Sequence, residues 1–143
     1  MSDEDLNYRI VSTAGQFSTK PRLRRELAVF EDWELPDSDE GDCPAVWAYE
    51  LLGEDYCAWQ ASGWSVQNGA RVFDMKYDEL RYLAHGLRNN DGQRLWPSWE
   101  DGVRELKTWP RTALVIALRA LNKANEPRVR ATASAEGKEA DAS

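Results

Sequence analysis

Residues 76–125 read KYDELRYLAHGLRNNDGQRLWPSWEDGVRELKTWPRTALVIALRALNKAN, and this stretch carries three helix signals in succession. Tyr77, Leu80, Leu83, Ala84 and Leu87 recur at spacings of three and four, which predicts an amphipathic helix over Tyr77–Leu87. Asn89-Asn90-Asp91-Gly92 ends it, because Asn and Gly accept the left-handed backbone of a helix exit and tight turn. Leu95-Trp96 is an apolar anchor before a new start. Ser98 can accept from the free N–H groups of a following helix, with Asp101 three residues on as the acidic half of a capping box. That second helix shows Trp99, Val103 and Leu106 on one face. Pro110 suits the first turn of a third helix, where its missing N–H costs nothing. Leu114, Leu118, Leu121 and Asn125 form a stripe along it, with Val115 and Ala117 beside. Three such helices make a packing unit, and a packing unit points to binding.

The chain before this segment changes character. Tyr56, Trp59, Ala61 and Trp64 fit a helix from about Glu54 to Ser62, broken by Gly63, Asn68 and Gly69, so Ser65 to Asp74 reads as a linker. Upstream, Glu26 to Leu35 puts Leu27, Val29, Trp33 and Leu35 at alternate positions, with Glu31 the polar member of that face. Ala45 to Leu51 is a second run of β-formers. Pro36 to Pro44 is an acidic loop between them, so the two runs predict an antiparallel pair within Arg24 to Leu52. Met1 to Pro21 is a mixed arm in which Leu6, Tyr8, Ile10, Val11 and Phe17 give a weak apolar pattern. Pro127 to Ser143 has no aromatic residue and too little apolar surface to offset ordering, which predicts a disordered tail.

The expected fold class is therefore α+β: a small antiparallel N-terminal sheet followed by a cluster of three to four helices, with a disordered C-terminal tail. The division is an arm over 1–21, one α+β domain over 22–126 and the tail over 127–143. The expected core is Trp47, Leu51, Trp59, Leu80, Leu83, Leu87, Leu106, Leu114, Leu118 and Leu121.

Composition narrows the function. At 143 residues and 42% hydrophobic content the chain can bury a core of its own. Its net charge of −7 argues against a general nucleic-acid partner, which requires cations against phosphate. The one dense basic patch, Arg22-Leu23-Arg24-Arg25, is followed by Glu31, Asp32, Glu34, Asp37, Asp39, Glu40 and Asp42. Both fit a solvated strand face and loop; both also fit an electrostatic handle for a basic partner or a second copy of the chain. With no signal peptide and no long apolar run, a cytosolic protein with reduced thiols and no membrane contact is expected. Cys43, Cys57 and the single His85 make no zinc spacing, so no metal is expected. No nucleophile elbow, phosphate loop or dinucleotide-binding glycine pattern occurs, so neither a catalytic site nor a cofactor is expected. His85 lies within the Tyr77–Leu87 helix and reads as structural.

The order of the pieces resembles the tail assembly chaperones of long-tailed bacteriophages. In that family a strand of the form V-x-x-x-E-L-x-G leads into a helix, as Val46-Trp47-Ala48-Tyr49-Glu50-Leu51-Leu52-Gly53 does here. The family's D-x-D-G-x-R-L-F turn corresponds to Asn89-Asn90-Asp91-Gly92-Gln93-Arg94-Leu95-Trp96, with Asn89 in place of the first Asp. An acidic helix follows, matched by Trp99-Glu100-Asp101-Gly102-Val103-Arg104-Glu105-Leu106, and a last helix closes on Ala120-Leu121-Asn122. The resemblance covers roughly Glu26 to Asn125. It implies a non-enzymatic protein of the host cell cytoplasm that binds the tape measure protein until tail tube subunits replace it. Such a protein is absent from the finished virion. The family's frequent second, frameshifted form would join at a tail such as Pro127–Ser143.

Seven Trp residues are many for this length, and Trp favours both cores and interfaces. Trp64, Trp96, Trp99 and Trp109 each fall at a helix end or connector, where a half-exposed ring could meet a partner; each also fits a core position. The competing function is a small acidic inhibitor that occupies a basic site on a host or phage protein.

Overall fold

Strand β1 (Arg25–Val29) pairs antiparallel with β2 (Ala45–Tyr49), Arg25 facing Tyr49 and Val29 facing Ala45. The chain continues through α1 (Gly53–Ser62), β3 (Trp64–Gln67), β4 (Ala70–Phe73), α2 (Asp78–Gly86), β5 (Leu87–Arg88), α3 (Trp99–Leu106) and α4 (Arg111–Asn125). This is the expected α+β architecture: β1, β2 and β5 form a three-stranded antiparallel sheet, joined by four α-helices. These elements come from a computed structural model that describes residues 9–17, 22–33 and 43–127. Expectations for Leu35, for the acidic loop over Pro36–Pro44 as far as Asp42, for parts of the arm and for the tail beyond Pro127 lie outside the described residues. Elements β1 through α4 belong to one compact unit, Leu23–Asn125. Within the arm, Ala14–Gln16 form a single 3-10 turn.

Both strands are where their β-formers suggest, but the buried face has the opposite parity. Ala28 and Phe30 are buried, whereas Leu27 is 50% exposed. The stretch Leu27-Ala28-Val29-Phe30 is apolar on both sides of the pleat, so alternation alone does not select the face. Helix α4 selects it. Its buried residues are Ala113, Ala117, Ala120, Leu121 and Ala124, while Leu114 and Leu118 flank the stripe half-buried. A ridge of small side chains lets the helix axis come close to the sheet, and the sheet answers with Ala28 and Ala48.

Trp47, opposite Leu27 on the outer face, is correspondingly not a core residue. The Arg25 guanidinium covers its ring at 4.0 Å, and its indole N–H donates to Asn90 Oδ1 at 3.1 Å. Leu51, Trp59, Leu80, Leu114 and Leu118 are half-buried, and Leu83, Leu87, Leu106 and Leu121 fully so.

Helix α2 matches its expected face but stops at Gly86. Leu87 leaves it to pair with Ala48 as part of β5, and the turn at Asn89–Gly92 follows that strand rather than the helix. Ser98 caps α3 as expected, its Oγ accepting from the Asp101 N–H at 3.2 Å. The Asp101 carboxylate does not close the box; it pairs instead with Arg104 at 2.9 Å. The Pro110 carbonyl accepts from the Leu114 N–H at 3.1 Å and so opens α4. At the other end Asn125 accepts from the Leu51 N–H at 2.8 Å and donates to the Tyr49 carbonyl at 3.2 Å. The last residue of α4 is thereby tied to the exit of β2.

The stretch expected to be a linker is a hairpin, and Trp64 begins its first strand instead of extending α1. Asn68 and Gly69 have φ of 53° and 79°, the paired left-handed geometry of a two-residue hairpin turn. Arg81, 2% exposed, anchors the hairpin to α2 through the Asp74 carboxylate at 2.9 Å. No helix among the described residues is long and apolar enough to cross a membrane.

Candidate functional site

The end of β1, the turn after α3 and the first turns of α4 converge on an aromatic cluster. Phe30 and Trp109 meet edge-on at 5.4 Å, Trp33 and Trp109 at 5.2 Å, and Trp96 lies 6.2 Å from Trp109. Edge-to-face rings at these distances are mutually favourable beyond their burial. The Trp96 indole N–H donates to the Glu105 carboxylate, which fixes that ring against α3. Above the cluster lies an open groove of about 280 Å³, lined by Phe30, Trp33, Pro110, Ala113 and Ile116 with Glu31, Asp32 and Thr112 at its edge. Ile116 is exposed in it. An apolar floor beside two exposed carboxylates suits an apolar segment that carries flanking cations.

A second cleft of about 410 Å³ opens between α1, α2 and α4, lined by Leu51, Tyr56, Trp59, Asp78, Glu79, Tyr82, Leu118, Asn122 and Asn125. Trp59 stacks on Tyr82 at 4.6 Å and meets Tyr56 edge-on at 5.7 Å. The Trp59 indole N–H donates to the Asp78 carbonyl at 3.2 Å, so the ring is held in place. Burial raises the Tyr82 phenol pKa above its ordinary value, against a smaller lowering from the Asn125 side chain. Its hydroxyl therefore stays protonated at neutral pH.

Between these clefts the titratable groups are tied down. Asp55, 2% exposed, accepts from Arg94 and, at 3.2 Å, from Arg88. Arg88 also donates to the Gly92 carbonyl at 2.9 Å, so this ion cluster clamps the 89–93 turn onto the start of α1. His85 is buried, with Nδ1 2.7 Å from the Arg81 carbonyl. That contact requires the proton on Nδ1. Burial lowers the His85 pKa most; the Arg81 carbonyl bond and the Asp55 charge oppose this, and the Arg94 and Arg81 charges lower it further. The imidazole is enclosed and donates to its own helix. Cys43 and Cys57 are free thiols. Among the described residues no group of three or more His, Cys, Asp or Glu is placed to hold a metal ion.

The four Trp residues singled out from sequence do not share one surface. Trp96, Trp99 and Trp109 pack half-buried against the core, Trp96 and Trp109 beneath the first groove. Trp64 is 46% exposed and stands apart on the hairpin, 5.1 Å from Phe73 and beneath the Arg71 guanidinium. The groove and cleft residues that sequence reasoning missed are Phe30, Ile116 and Tyr82, with Trp33 and Tyr56 noted only as strand and helix positions. Their signal was chemical: Glu31-Asp32 beside Phe30 and Trp33, and Asp78-Glu79 beside Tyr82 on α2. No protein-family model, no curated protein and no solved structure matches this chain.

Proposed function

We propose that this protein is a non-enzymatic binding protein that holds a helical client, and that it acts as a tail assembly chaperone for a phage tape measure protein. The observation that carries this reading is the open apolar groove of Phe30, Trp33, Pro110, Ala113 and Ile116, edged by the carboxylates of Glu31 and Asp32. Helix-in-groove recognition needs such a floor for the apolar face of the client and rim charge for steering. The sequence resemblance over Glu26 to Asn125 supplies the client's identity and the cytoplasmic setting. The rigid Trp33–Trp109–Trp96 layer beneath the groove supports a preformed site, which reduces the ordering cost of binding.

Co-expression tests it. The tape measure protein should stay soluble only when this protein is present, and Ile116→Asp should remove that protection, since it puts a charge into the floor of the groove. Ile116 is exposed, so the variant should keep its helical circular dichroism. Client solubility indifferent to the presence of this protein would sink the proposal and bring the acidic inhibitor forward.

A further inference from the structure

The cleft between α1, α2 and α4 has a chemistry different from that of the groove, and it lies on another side of α4: Ile116 faces the groove, Leu118 and Asn122 the cleft. Its walls are aromatic. Trp59 and Tyr82 stack with an interplanar angle of 32°, and Tyr56, 53% exposed, stands edge-on to Trp59 at the mouth. Two carboxylates, Asp78 and Glu79, stand at the rim. They are not equivalent. Asp78 shares the Arg81 guanidinium with Asp74, at 3.2 and 2.9 Å, whereas Glu79 makes no ion pair among the described residues. The rim thus carries an unpaired carboxylate, Glu79, beside the rings of Trp59, Tyr82 and Tyr56. Asn122 adds a side-chain amide on the opposite wall, from α4.

We propose that this cleft receives a single arginine side chain presented by a basic partner protein, the guanidinium stacking on the Trp59–Tyr82 wall and pairing with Glu79. Three physical points select that occupant. Ring faces attract cations through their quadrupole, and the attraction grows as water is removed. A guanidinium is planar and weakly hydrated, so it can lie flat against a ring while its edge donates to a carboxylate, whereas an ammonium is a compact, strongly hydrated point charge. The unpaired Glu79 carboxylate offers that cation a partner. The cleft is open to solvent along the helices, so the arginine can arrive on a protein segment. The chain's net charge of −7 attracts such a basic segment over longer range.

The test uses the full-length protein and short capped peptides of Ala and Gln that carry one central Arg, Lys or Gln. Binding is read from the Trp59 indole N–H resonance in a titration at low salt. The Arg peptide should shift that resonance saturably, the Lys peptide more weakly, and the Gln peptide not at all. Tyr56→Ala and Glu79→Gln, both at exposed positions, should each weaken the Arg peptide by roughly three- to tenfold. Added salt should weaken it further in the wild type than in Glu79→Gln. Equal response to the Arg and Gln peptides, or variants that bind as the wild type does, would overturn the proposal. That result would leave the chaperone reading standing, because the groove of Phe30 and Ile116 shares no residue with this cleft. Client solubility indifferent to the wild-type protein, with intact Arg-peptide binding, would instead count against the groove reading alone.

Discussion

Replacing Gly86 by Ala probes the contact on which the helix cluster depends. Gly86 closes α2 where α2 meets α4, and a Cβ there would lie 2.4 Å from Leu121 Cδ1 and 2.8 Å from Cδ2. Leu121 is fully buried, so its side chain has nowhere to retreat. Ala in a helix interior is favoured over Gly by about 1 kcal/mol, less at a helix end. Overpacking a closed core costs roughly 1–3 kcal/mol, and the shortness of both contacts puts Gly86→Ala toward the upper end. The net expectation is a loss of about 2 kcal/mol, equivalent to roughly 8–10 °C in Tm for a unit the size of Leu23–Asn125. Gly53→Ala is the control, since a Cβ at that position meets nothing within 4 Å; it should be neutral or slightly stabilising. Urea unfolding of both variants gives the comparison. A double-mutant cycle locates the cause. Leu121→Ala alone should cost about 2–5 kcal/mol, and in that background Gly86→Ala should cost almost nothing, because the clashing methyls are gone. If Gly86→Ala equals Gly53→Ala, or its cost persists in the Leu121→Ala background, the packing argument is wrong.

Other expectations follow from the buried charges. Asp55→Asn leaves Arg88, whose side chain is 16% exposed, without its anion, and should cost about 3 kcal/mol in chemical denaturation. The 46% exposure of Arg94 means solvent takes up that side of the loss. His85 is held neutral, its folded pKa below the unfolded value, so the unfolded chain binds the extra proton first. Its contribution to stability is complete above the unfolded pKa of about 6.5 and is lost as pH falls below it. His85→Gln should therefore flatten the fall in Tm between neutral and mildly acidic pH; an unchanged slope would remove His85 as its source.

How much of this was legible depended on the kind of signal. The helices over Asp78–Gly86, Trp99–Leu106 and Arg111–Asn125 carry a 3.6-residue period, and Ser98 carries a cap whose chemistry is local. Sequence reasoning places these well because neighbours along the chain decide them. The rotation of α4 was harder. A Leu stripe dominates any hydrophobic reading, yet the residues that α4 buries are, besides Leu121, Ala113, Ala117, Ala120 and Ala124, whose value lies in being small. The parity of β1 failed for the same reason, since only the docking of that Ala ridge tells Ala28 from Leu27. The Asn68-Gly69 turn was a readable hairpin signal. Trp64-Ser65-Val66-Gln67 and Ala70-Arg71-Val72 alternate on either side of it, but these strands are four residues long and stay largely exposed, so no core burial marks them. The Asp55–Arg88–Arg94 cluster joins positions 33 and 39 residues apart, which no spacing rule connects. The two clefts are likewise products of packing: their aromatic walls come from different elements and meet only in the fold.

The central claim is that a helical client lies in the groove beside Trp33 and Ile116. Hydrogen–deuterium exchange of this protein with and without the tape measure protein tests it most directly. The account predicts slowed exchange over residues 30–33 and 110–117 on complex formation, and no slowing there when Ile116→Asp is used. Unchanged exchange across those two segments in a complex that demonstrably forms would place the client elsewhere and contradict the account.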